Sequence, residues 1–198
     1  GINTGFGYLQ NVQIDEDQLK DLQKNLLMSH ACGLGDEVPD PIVKLMLALK
    51  IKSLCYGHSG VQVETVNRLM EMYNQELLPV VYTQGSLGDS GDLAPLSHLH
   101  LPLIGLGEVN FKGKRMKAAE GLKELNWKPL NLESKEGLAL INGTQFMCAY
   151  GIYNLMQVRR LMDWAIAIAA ISFDAFDCVP GPLKAPIHKI RNQNGQIK

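Results

Sequence analysis

Residues 144–176 carry a helical pattern, and no other stretch constrains the fold of this chain as much. Roughly thirty residues in α-helix extend about 45–50 Å. Leu155, Met162, Ile166, Ala169, Ala170 and Phe173 give this helix an apolar face of small and large side chains. A helix of such length draws most of its stability from tertiary contacts, so a bundle or an oligomer interface is expected around it. Asn142-Gly143-Thr144 precedes it, and the proline-rich stretch 180–186 ends it.

The rest of the chain also reads as mainly helical, broken by glycine. The opening GINTGFGYL is a glycine-punctuated loop, with Gly1, Gly5 and Gly7 close together. A helix is expected over 15–32, where Leu19, Leu22, Leu26 and Leu27 keep a three-to-four spacing and Gly33 supplies the stop. Asp40-Pro41 reads as an N-cap followed by proline at the first helical position, opening a helix to about residue 56. Its apolar residues Val43, Leu45, Met46, Leu47 and Leu49 spread round the circumference, as in a buried helix. A further helix is expected over 63–77, a loop over 82–95, and a short helix over 96–106 that stops at Gly105. Residues 108–116 alternate around Lys112-Gly113 and read as a small β-hairpin whose basic run, 112–117, is a solvated edge. Short helices follow over 118–125 and, capped by Ser134, up to Ile141. Two regions result: 1–141, rich in loops, and 142–198, built on the long helix.

Composition narrows the class. The 198 residues are 46% hydrophobic and 20% charged, with a net charge of −1, which fits a globular protein and not a disordered one. No Lys/Arg run marks a nucleic-acid surface. The longest apolar stretch, 165–173, is too short to span a bilayer, and no signal sequence opens the chain, so neither a nucleic-acid nor a membrane partner is expected. Cys32, Cys55, Cys148 and Cys178 are widely spaced without a CxxC and read as reduced thiols of a cytoplasmic protein, mostly core filler, as do the eight methionines. His98 and His100 lack a carboxylate or cysteine at ligand spacing, so no metal site is expected.

The chemistry is concentrated in YTQGSLGDSGDLAP, residues 82–95. It has no Gly-Lys-Ser/Thr ending, as a phosphate loop requires. Its Gly88-Asp89-Ser90-Gly91 spells the GDSG of trypsin-like proteases, but those are β-barrels and this chain is helical. Asp92 occupies the last position of a GxSxG elbow and excludes that motif. What remains is a backbone able to fold back on itself. The Gly91 nitrogen, unobstructed by a side chain, can attack the carbonyl of residue 89. Loss of water from the ring and from the Ser90 side chain then leaves a dehydroalanine-type electrophile. A glycine-serine loop is more often only a turn.

GINTGFG, NLLMSHACGLG, GSLGDSGDLAPLSHL and LALINGTQ together resemble the aromatic amino-acid lyases, and within them histidine ammonia-lyase, in that family's order and spacing and over nearly the whole chain. The resemblance implies a mainly α, fumarase/aspartase-like helical lyase fold, of which this would be an N-terminal to central fragment. It implies that Asp89, Ser90 and Gly91 form the 4-methylideneimidazol-5-one electrophile (MIO), with no metal. It implies that Asn142 hydrogen-bonds the electrophile and that Ser29 and His30 bind the substrate. Ser-His at those positions goes with histidine, whereas tyrosine and phenylalanine lyases carry His-Leu or Phe-Leu. The implied reaction is L-histidine to urocanate and ammonia, by covalent and general-base catalysis in a homotetramer.

Two departures from the family leave alternatives open. Asp89 stands where the family has alanine: the backbone carbonyl needed for cyclisation is retained, but a carboxylate in a compressed loop is costly to desolvate. The family's general-base tyrosine falls just before Gly1, and its later Tyr, Arg and Glu fall beyond Lys198, so the 198 residues alone are expected to be inactive. A non-catalytic helical assembly module derived from the lyase, and a phenylalanine or tyrosine lyase or aminomutase, are the competing readings.

Overall fold

In the computed structural model, residues 2–87, 91–191 and 195 are described. The chain divides into two compact units, Gly1–Tyr153 and Asn154–Lys198. The boundary between these units falls inside the long helix.

In the first unit, a 3-10 turn at Glu16–Gln18 leads into helix α1 (Leu19–His30). Strand β1 (Leu34–Glu37) precedes helix α2 (Asp40–Cys55) and helix α3 (Val63–Asn74). Strands β2 (Leu78–Pro79) and β3 (Tyr82–Gln84) come before helix α4 (Leu93–His100), which a 3-10 turn extends over Leu101–Ile104. Gly105, at φ 76°, closes that turn in the left-handed conformation, the expected stop. The hairpin is β4 (Glu108–Phe111) and β5 (Lys114–Lys117), with Val109 opposite Met116. Two short helices follow, α5 (Ala118–Glu124) and α6 (Glu136–Ile141), and then α7 (Gln145–Ala175), which runs on into the second unit.

Two small antiparallel sheets brace the helices. One pairs β1 with β3, and the other has the order β2-β4-β5. The core lies between them and the helices: Leu47 of α2, Leu69 of α3, Leu96 and Leu99 of α4 and Leu140 of α6 are all fully buried. Each such leucine contributes about 1.5–3 kcal/mol of transfer free energy. Helix α1 packs against α4 and α6. The α1–α6 approach is close enough that a Cβ on Gly137 would lie 2.9 Å from the Gln23 carbonyl oxygen. Buried Gln23 uses the approach, its Oε1 accepting the Gly137 N–H at 3.0 Å.

Several expectations are corrected. Asp40 is the first residue of α2 and not its cap; its carboxylate accepts from Asn110 Nδ2 of β4 at 3.0 Å. Helix α3 stops at Asn74 because the chain must turn there, through Glu76 at φ 55°, to enter β2. The 82–95 segment is not all loop, since it pairs as β3 and begins α4 at Leu93. Ser134 does not cap α6: Lys135 precedes the helix at φ 71°, and the buried Glu136 carboxylate accepts from the Glu133 N–H at 2.8 Å. All four cysteines are exposed rather than core filler: Cys55 and Cys148 lie on α2 and α7, and Cys32 and Cys178 in the segments that follow α1 and α7. Met46 and Met72 are buried, but Met28, Met70, Met147, Met156 and Met162 are exposed.

The second unit holds the rest of α7, a 3-10 turn at Gly181–Leu183 and helix α8 (Ala185–Ile190), so 180–186 restarts a helix as well as ending one. None of its described residues is buried. Among the described residues, no helix is long and apolar enough to cross a membrane.

Candidate active site

A cavity of about 500 Å³ opens in the first unit where separated pieces of chain meet. Gly5, Phe6 and Gly7 of the opening loop form one wall, His30 at the end of α1 another, and Asn142 just after α6 a third. That volume lies within the usual range of small-molecule sites. The opening loop is pinned in place, Gly5 N–H donating to the Val12 carbonyl and Ile14 N–H to the Asn3 carbonyl, each at 3.0 Å. Leu22, Leu26 and Leu93 add apolar lining.

His30 is oriented by its own helix. Its Nδ1 lies 2.9 Å from the Leu26 carbonyl, which can only accept, so Nδ1 carries a proton and Nε2 is left for other partners. Ser29 is exposed and stays out of the cavity lining; its hydroxyl donates to the same carbonyl at 3.1 Å and lies 3.1 Å from His30 Nδ1. The structure therefore brings His30 and Asn142 to one cavity and leaves Ser29 behind the histidine.

Asn142 ends α6. Its N–H still bonds the Leu138 carbonyl at 3.0 Å, but ψ of 133° takes the chain out of the helix. Its carbonyl accepts from Lys50 Nζ of α2 at 2.8 Å. Lys50 is 1% exposed, and burial pushes its pKa down to about 7. Gly143 follows at φ 142°.

Asp89 and Ser90 lie outside the described residues. Gly91 is described: it is buried at φ 93°, and a Cβ there would sit 2.6 Å from the Gly143 carbonyl oxygen. Position 91 therefore accepts only glycine. The next residue ties the segment down. Asp92 is fully buried; its N–H donates to the Gly143 carbonyl at 2.8 Å and its Oδ1 accepts from Ser86 Oγ at 2.6 Å. Its Oδ2 accepts the Met147 N–H at 3.0 Å, so a carboxylate from one loop caps the start of α7.

Lys50 and Asp92 belong to this site and were not among the residues expected there. Lys50 had a signal, since Val43, Met46, Leu47, Lys50 and Leu54 form one helical stripe, all buried. Asp92 had none, because it caps a helix 55 residues away. The two histidines of α4 hold backbone. His98 Nε2 accepts the Gly33 N–H at 3.0 Å, with burial lowering its pKa. His100 bonds the Leu96 carbonyl through Nδ1 at 2.6 Å, and burial, then the Lys50 charge, push its pKa to about 3. Among the described residues, no group of three His, Cys, Asp or Glu side chains is placed to hold a metal.

The family model for aromatic amino acid lyases matches residues 1–198. The chain belongs to that family. Histidine ammonia-lyase of Burkholderia mallei is 46% identical over 197 residues, covering 100% of this lyase-family chain and 39% of the relative. The crystal structure of histidine ammonia-lyase from Trypanosoma cruzi superposes with a TM-score of 0.91 at 38% identity, over 99% of this chain and 38% of that one. The Pantoea agglomerans phenylalanine aminomutase superposes at 0.92 with 30% identity, over 100% of this chain and 38% of that one. The mainly helical lyase fold is thus shared, and the chain spans about two-fifths of the length of these relatives.

Proposed function

We propose that this chain is the electrophile-bearing segment of a histidine ammonia-lyase that converts L-histidine to urocanate and ammonia, working with the segments that its longer relatives possess. The observation that carries this reading is that His30, at the end of α1, and Asn142, just after α6, wall one cavity of about 500 Å³. The similarity to histidine ammonia-lyases supports the choice of substrate.

The backbone beside the cavity suits formation of MIO from Asp89, Ser90 and Gly91. Gly91 is held against Gly143 where a Cβ has no room, and its amide nitrogen meets no side chain of its own. The group supplies an electrophilic methylene, which turns the substrate's amine into a better leaving group. Asn142 presents a carboxamide at the cavity wall as a donor and acceptor. His30, with Nδ1 committed to Leu26, offers Nε2 to the substrate. Leu22, Leu26 and Leu93 give the cavity an apolar lining beside those two polar groups. The lyase's setting in this reading is a cytoplasmic homotetramer.

Intact mass of the purified chain is the first test. A deficit of two waters localised to residues 89–91 is expected. Urocanate formation is then expected when the chain is complemented with the C-terminal piece of a relative, and not without it. An unmodified mass together with no urocanate overturns the reading in favour of a non-catalytic assembly module. Conversion of phenylalanine or tyrosine in place of histidine overturns the substrate.

A further inference from the structure

We propose that Lys50 is a positioning residue for Asn142: its buried amine holds the Asn142 carbonyl and so sets the direction in which the Asn142 carboxamide enters the cavity. The inference rests on the reading that Asn142 acts on the reacting groups.

Lys50 occupies the inward stripe of α2, between Met46 and Leu47 on one side and Leu54 on the other, where a leucine or methionine would pack. An amine there is costly to desolvate. Among the described residues it has no carboxylate partner; its hydrogen bond is to the Asn142 carbonyl, at 2.8 Å. An ion pair that merely stabilised the fold would put a carboxylate opposite the lysine. Here the amine is directed at one peptide group, and that group belongs to the residue at the cavity wall.

The position of that peptide gives the contact its effect. At Asn142 the chain leaves α6, and Gly143 follows at φ 142°, so the junction with α7 has little stiffness of its own. The Asn142 N–H is fixed to the Leu138 carbonyl and the carbonyl to Lys50, so the residue is held from both sides. Releasing the carbonyl removes the bond that fixes the Asn142–Gly143 peptide from the α2 side, while α6 and the Asp92 contact to Gly143 stay intact. The carboxamide then loses its direction, although the core around it stays packed.

One titratable side chain near Lys50 is His100 of α4, whose ring feels the lysine charge. Among the described residues, His100 Nε2 is buried without a partner, and Nδ1 is occupied by the Leu96 carbonyl. Its ring therefore does not compete for Asn142. A lysine amine retains N–H donors whether charged or neutral, so the contact to Asn142 survives titration of Lys50. The device works by geometry.

The test uses Lys50→Met, Lys50→Gln and Lys50→Arg in the intact chain and in the complemented lyase. In the intact chain, the Asn142 side-chain NH2 resonances are expected to shift and broaden in K50M and K50Q. They should return towards their wild-type positions in K50R, while the methyl signals of Leu69 and Leu103 stay in place. In the complemented lyase, K50M is expected to lower kcat about tenfold to a hundredfold, the scale of a misplaced catalytic group. KM should stay within about twofold, since little uniform binding is lost. K50R is expected to recover most of the rate. Adding Asn142→Ala to K50M should cost little beyond Asn142→Ala alone. Unchanged Asn142 resonances in K50M and K50Q, or fully multiplicative losses in the double variant, overturn the proposal. Should K50M fail to fold, K50Q and K50R carry the same comparison. A wild-type rate in Asn142→Ala overturns the reading of Asn142 itself, and the resonances of the intact chain then still decide whether Lys50 sets the carboxamide.

Discussion

Up to Ala149 the chain has an interior, and beyond it the described residues have none. Leu47, Leu69, Leu99 and Leu140 are fully buried in the first unit. Leu161, Ile166, Ile168 and Ile171 of α7 are each more than half exposed, though leucine and isoleucine are as apolar there as in the core. Helix α7 itself crosses from one regime to the other: Phe146 and Ala149 belong to the core, and Leu155 does not. The two regions teach that a helical pattern specifies a helix without specifying what it packs against. The first unit finds its partners in α1, α2, α4 and α6. The second has apolar side chains on every side of one helix, and none of its described residues is buried.

Truncating the interior should have the largest effect. Leu99→Ala is expected to lower unfolding free energy by about 2–5 kcal/mol, the cost of a cavity in a packed core, read from urea denaturation. An effect near zero would erase the contrast between the two units. Next is Asp92→Asn, which places an amide donor against either the Ser86 hydroxyl or the Met147 N–H. A loss of about 1.5–3 kcal/mol is expected, the scale of a hydrogen bond to a charged group. Because the carboxylate caps α7 at Met147, hydrogen exchange at that amide should accelerate in the same variant.

The pH dependence of stability should also come from the first unit. Lys50 titrates near 7 in the folded chain against 10.5 in the unfolded one, so the unfolded state binds more protons between those values. Stability therefore rises as pH increases through that window. His100, at about 3 against 6.5, gives a rise from pH 3 to 6.5 by the same reasoning. Denaturation midpoints measured from pH 4 to pH 10 should lose the alkaline arm in K50M and the acidic arm in His100→Leu. The smallest effect belongs to the second unit. Leu161→Ala in the dilute, monomeric chain should change stability by no more than about 0.5 kcal/mol. A cost matching that of Leu99→Ala would show that α7 is already covered in the isolated chain.

What the sequence revealed follows the range of the interactions involved. The hairpin was legible because Lys112-Gly113 is a local turn between alternating residues, and α1 and α2 because their apolar spacing is local too. The pairing of β1 with β3 was not, since LGDE has no β-branched residue and its partner lies near residue 84. Ser134 misled because a serine before a helix is a sound local signal that Glu136 overrode. At the site, His30 and Asn142 were named through family resemblance, and the backbone places them at one cavity. Lys50 and Asp92 act on partners 92 and 55 positions away, and no local pattern announces such contacts.

The Asp92 carboxylate has a consequence in time. Its bond to the Met147 N–H, like the packing of Gly91 on Gly143, needs a part of the chain made much later than the 85–92 loop. At ribosomal speeds of roughly 5–20 residues per second, those 55 positions take about 3–11 seconds to synthesise. Through that interval the loop exists without the walls that hold it. Any chemistry that depends on the compressed backbone at Gly91 therefore begins only after the first turn of α7 has left the ribosome.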